Sequence, residues 1–107
     1  MQTHQCIITV TKRGTGGEVV AAARRKGARG GTILTGRGSS VYESKKLFGS
    51  LVDPEKEIVL TLIEKEKVDA VLDEIRKSLD IDTPGKGIMF VVDVEEVRGL
   101  TPLEALK

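Results

Sequence analysis

Glu57-Ile58-Val59-Leu60-Thr61-Leu62-Ile63, followed by Val68, Val71, Leu72, Ile75 and Leu79, decides the fold. The seven-residue run is aliphatic or β-branched at nearly every position, the composition of a short strand that is apolar on both faces. The next five recur at helical spacing, with Asp69, Asp73, Glu74, Arg76 and Lys77 outside their stripe. Thr83-Pro84-Gly85 then turns the chain into a last strand from Gly87 to Val94.

Working back towards the N-terminus, the same theme recurs. Gln5 to Thr11 reads as a strand, a helix is expected from about Glu18 to Lys26, and Thr32 to Thr35 is a second strand. Thr15 is the expected N-cap, with Glu18 completing a capping box, and Gly27 suits a left-handed C-terminal position. The order strand, helix, strand, strand, helix, strand predicts an α+β fold, a ferredoxin-like βαββαβ sandwich whose antiparallel sheet carries two helices on one face. Ile58, Leu60 and Leu62 alternate with Val59, Thr61 and Ile63, and Ile88, Phe90 and Val92 are equally poor in polar neighbours. A sheet apolar on both faces needs cover on both, so symmetric association is expected, the alternative cover being the Val41 to Val52 loop.

Composition bounds the function. A chain of 107 residues, 39% hydrophobic and 31% charged, is expected to form a single domain over 1–107 with a core of Val, Ile, Leu and Ala. The net charge of +1 offers no pull towards nucleic acid or membranes, and the basic cluster Arg24, Arg25, Lys26 and Arg29 is explained by a helix C-terminus. The single cysteine fits a reducing compartment, and with no signal-peptide pattern and no apolar run of roughly 20 residues a cytoplasmic chain is expected. His4 and Cys6 have no further Cys or His to complete a metal site, so no metal is expected. No acid–base pair is visible, so the chain is not read as an enzyme.

Two glycine-and-cation turns carry the functional signal. Gly85-Lys86-Gly87 can approach a phosphate with backbone amides and one ammonium, and Gly36-Arg37-Gly38 follows the second strand in the same way. Taken alone, either reads more readily as a tight turn or hairpin corner than as a phosphate site. The polar stretch from Gly36 to Lys56 reads as a long loop with a short ordered piece around Leu47-Phe48-Gly49, and its length points to function.

The run from Glu57 to Val97 resembles the second half of the PII nitrogen-regulatory signal transducers: a two-sided strand, the Val68-Asp69-Ala70-Val71 helix, a Gly-x-Gly turn and a Phe-Val-x-Asp-Val strand. The first half is similar in layout, with Gly27 before the second strand and Gly38 opening the long loop, and the whole looks like a divergent PII-like protein with a shortened effector loop. The resemblance implies a homotrimer with adenine-nucleotide sites (AMP, ADP, ATP or cyclic AMP) between neighbouring subunits. It assigns phosphate contacts to Gly85, Lys86 and Gly87, with Ile88 next to them, places Leu62 beside the adenine and Thr32 at the opening of strand two, and brings Gly36, Arg37 and Gly38 from the adjacent subunit. The loop at about 37–56 would be the effector arm, changing conformation with the nucleotide and docking on a regulated membrane transporter or enzyme. The sequence departs from the family where its phosphate lysine is Ile88 and that lysine's glutamate partner is Leu60, a pair replaced as a unit. Gly99 and Thr101 stand at the two C-terminal arginine positions, leaving Arg98 nearby, so a ligand less phosphorylated than ATP is expected. Tyr42 lies in the loop, but its modification is not carried over. The alternative is a CutA-like structural or metal-tolerance trimer, with the same fold and no nucleotide site.

Overall fold

Strands and helices follow the expected order: β1 (His4–Lys12), α1 (Gly16–Arg25), β2 (Thr32–Arg37), β3 (Lys45–Leu47), β4 (Ser50–Val52), β5 (Glu55–Glu64), α2 (Val68–Leu79) and β6 (Ile88–Val94). They come from a computed structural model that describes residues 3–38, 54–100 and the backbone of 45–47 and 50–52. The main sheet is antiparallel with strand order β2-β5-β1-β6, and both helices pack on one face. This is the ferredoxin-like sandwich expected. β3 and β4 pair as a separate hairpin, Lys45 opposite Val52 and Leu47 opposite Ser50, where the short ordered piece was expected. Tyr42, Phe48, Gly49 and Thr101 lie outside the described residues.

Alternation sorts the side chains. Ile7, Val59 and Ile63 point at the helices and are buried with Val19, Ala22, Ala23, Val71 and Ile75, while Met89 and Val91 pack against that cluster. Each of the Ile and Val side chains in this cluster contributes about 1.5–3 kcal/mol on full burial.

The start of α1 differs from expectation. Thr15 makes no side-chain cap; its hydroxyl donates to the Lys12 carbonyl at 2.7 Å and shares a hydrogen with Thr11, while Glu18 accepts from Ser78 at 3.2 Å. The cap comes from β5, where Glu57 Oε1 accepts the Gly16 amide at 2.6 Å, so the helix begins at Gly16. A Cβ at Gly16 would lie 2.7 Å from that oxygen, so a larger residue there would displace the carboxylate from the amide it caps. At the other end, Gly27 has φ +107°, the positive φ expected there, and the amides of Gly27 and Ala28 donate to the carbonyls of Arg24 and Ala23 in a Schellman arrangement.

β2 runs beyond Thr35 to Arg37, and β5 starts at Glu55, because the ladder continues with Gly36 opposite Lys56 and Arg37 opposite Glu55. Gly36 is therefore a strand residue, with Ile58 Cδ1 2.9 Å from where its Cβ would be. Past α2, Asp80 takes the left-handed conformation (φ 56°). The Arg76 guanidinium bridges Asp73 at 2.7 Å and Asp82 at 2.8 Å, fixing the exit that leads to Gly85 and Gly87.

Candidate functional site

The sheet face turned away from the helices is an apolar carpet laid in cross-strand rows. Val92, Cys6 and Leu62 form one row; Phe90, Ile8, Leu60 and Thr32 the next; Ile88, Val10, Ile58 and Leu34 a third. Ile88 is 57% exposed and Phe90 45%, and no described element covers them. Burial pushes the Cys6 thiol up from its ordinary value, a backbone hydrogen bond from Thr61 opposing it.

Each end of this face carries a different feature. At the β2/β5 end, a cleft of about 230 Å³ is lined by Gly30, Gly31, Thr32, Leu60, Leu62 and Leu100, with His4, Arg29 and Glu64 also on its walls. Lys67, 2.9 Å from Glu64, holds that carboxyl below the usual range. At the opposite end, the Gly85–Gly87 turn enters β6 against β1. Both glycines have positive φ (85° and 145°), and a Cβ at Gly87 would come 2.9 Å from the Val10 carbonyl. Gly87 is thus required by the packing of the sheet itself, and a bulky substitution there would damage the fold as well as any phosphate contact. The Lys86 amide donates to Thr83 at 3.2 Å, leaving the amides of Gly85 and Gly87 without a partner among the described residues.

From Leu62 to Lys56 along β5 is about 20 Å, and β2 and β6 lie about 14 Å apart across the sheet. The cleft and the turn of one chain therefore do not close on one small ligand.

A family model for nitrogen regulatory protein P-II matches residues 4–103. The chain belongs to the P-II family. Among solved structures it is similar to Arabidopsis thaliana PII bound to citrate, with TM-score 0.65 and 22% identity over 87% of this chain and 78% of that one. It is equally similar in shape to CutA from Synechococcus elongatus PCC7942, with TM-score 0.64 and 10% identity over 88% of this chain and 79% of that one. At these identities the likeness is one of fold. Comparison with curated proteins finds no match.

In this P-II protein the expected site residues fall into separate groups. Thr32 and Leu62 meet in the cleft. Gly85, Lys86, Gly87 and Ile88 form the turn at the other end, where Ile88 shares the open face with Gly36 and a Cβ at Gly87 would point towards Thr11 Oγ1 and Ile81 on the helix side. Arg37 stands between Gly36 and Gly38 in strand alternation, on the helix-side face opposite Glu55. Arg98 is exposed and ion-paired with Glu96. Sequence reasoning missed His4, Gly31, Glu64 and Leu100 as cleft walls. Leu60 was legible two residues before Leu62; the others are brought in by register and by the path of the chain after β6.

Among the described residues no helix is long and apolar enough to cross a membrane, and no group of His, Cys, Asp and Glu could hold a metal ion.

Proposed function

We propose that this chain is a nucleotide-sensing regulator, one domain over 1–107, that binds an adenine nucleotide between copies of itself and reports occupancy through the arm at about 37–56. Membership of a family of signalling regulators that bind adenine nucleotides supports this reading. The observation that carries it is the division of the site. The cleft with Thr32 and Leu62 and the turn with Gly85 and Gly87 stand at opposite ends of one open apolar face. Joining the cleft of one copy to the turn of the next is a head-to-tail contact, and such contacts form a ring when the rotation between copies closes. A homotrimer, the family's usual assembly, would cover the apolar face and complete one site per subunit boundary. The arm then connects the site to a partner, a membrane transporter or an enzyme, because β2 enters it directly from Gly36 and Gly38.

The test is thermal unfolding of the assembled protein with AMP, cyclic AMP, ADP and ATP. A ligand that binds only the folded state at about 100 times its dissociation constant stabilises by about 2.7 kcal/mol. A shift with one of them supports the sensor. No shift with any, in a sample shown to be assembled, would leave the CutA-like reading, in which the fold is kept without a nucleotide site.

A further inference from the structure

A carboxylate stands at the end of the cleft between β2 and β5. Leu60, Leu62 and Glu64 are opposite Ile8, Cys6 and His4 on β1, so alternation puts all three on the open face. Leu60 and Leu62 therefore floor the cleft, Gly30, Gly31 and Thr32 border it on the β2 side, Leu100 adds a further apolar wall, and Glu64 ends it beside His4.

Lys67 anchors that carboxylate. Its stem runs over Gly27, where a Cβ would lie 3.2 Å from Lys67 Cδ, and its ammonium donates to Glu64 Oε2 at 2.9 Å. On β1, His4 Nδ1 and the Thr3 hydroxyl share a hydrogen at 2.8 Å. The bond from Lys67 favours the charged form of Glu64, whose side chain is only 25% exposed.

A charged wall selects the end of the ligand that can approach it. A phosphate or a carbonyl oxygen would set negative against negative, whereas an N–H group donates to the carboxylate in a charge-assisted hydrogen bond. Leu60, Leu62 and Leu100 give a ring apolar contact and no hydrogen bond from their side chains. From Leu62 to Glu64 along β5 is about 7 Å, within reach of a purine that lies over Leu62 with its amino group towards the strand end.

We propose that Glu64 selects the base, its carboxylate accepting the exocyclic N–H of an aminopurine that lies on Leu60 and Leu62. This rests on the nucleotide reading above and adds to it a specificity-determining residue that no expectation from the sequence included. The same charge orients the ligand, turning its phosphates away from Glu64 and towards the part of the site that a neighbouring copy supplies.

The test is calorimetric titration of the diphosphates of adenosine, inosine and purine riboside into the assembled wild type and Glu64→Gln. Inosine has a carbonyl oxygen where adenosine has its amine, and purine riboside leaves that position bare. Wild type is expected to bind the adenosine compound at least about tenfold more tightly than either of the others, the size of one hydrogen bond to a charged group. Glu64→Gln, whose carboxamide both donates and accepts, should bring adenosine and inosine to within about threefold of each other. A carboxylate that only supports the fold through Lys67 would instead lower the melting temperature and weaken all three ligands alike, keeping their ratios. If Glu64→Gln does not assemble, Glu64→Asp keeps the charge but withdraws it by one carbon, and it too should cut the preference to about threefold. Inosine or purine riboside diphosphate bound by wild type as tightly as ADP, or a preference that survives the substitution, overturns the proposal and leaves the nucleotide reading standing. If none of the three binds, the nucleotide reading fails and the selection falls with it.

Discussion

The two faces of the sheet invert the usual distribution of side chains. Under the helices, Thr9 and Thr61 are 0% exposed, and neither hydroxyl has a hydrogen-bond partner among the described residues. On the open face, Ile8, Phe90, Leu60 and Leu62 line up with polar cover nowhere between them. Burying an unbonded hydroxyl costs about 1–3 kcal/mol, and each apolar side chain left in water forgoes a comparable gain. The covered face tolerates polar groups because α1 and α2 supply enough apolar surface around them. The open face is apolar with no described element over it, and it is the surface that the proposed association would bury.

That contrast can be broken or sharpened experimentally. The largest effect belongs to Ile8→Asp, which puts a charge between Phe90 and Leu60. Assembly should be abolished, seen as a monomer by light scattering with helical circular dichroism retained; an intact oligomer would show that the open face is not the contact. Ile75→Ala removes a fully buried side chain under the sheet and should cost about 2–5 kcal/mol in urea unfolding. A loss below about 1 kcal/mol would mean that the helix side is not the core. Thr61→Val should run the other way, neutral to about 1 kcal/mol stabilising, because it removes an unbonded hydroxyl without changing shape; a clear destabilisation would reveal a partner for that oxygen. The smallest effect is a pH dependence at the cleft. Lys67 holds the Glu64 carboxyl below 4.5, so this pair's contribution is complete above about pH 4.5 and is lost as pH falls through the lower folded value. Glu64→Gln should therefore lose less stability than wild type between pH 6 and pH 3; equal losses would leave the ion pair without influence.

Legibility followed the range of the forces involved. β5, α2 and β6 were readable because their periods are written in consecutive residues, and Gly27 announced its helix end through a conformation that only glycine takes easily. Gly36 and Arg37 were read as a turn because glycine is a poor strand former, yet pairing with Lys56 and Glu55 outweighs that preference. In the site, Thr32 and Leu62 were found and do meet, whereas Gly31, Glu64 and Leu100 join them through register and the path of the chain after β6 and have no local trace in the chain.

The carboxylate of Glu57 on the Gly16 amide has a kinetic meaning. These residues are 41 positions apart, so the first turn of α1 obtains its cap only when β5 has already docked beside β1. A helix of ten residues is too short to persist alone in water. α1 should therefore consolidate late, in the same cooperative step as the β1–β5 pairing, and a nascent chain that ends before Glu57 would carry the α1 segment without a stable helix.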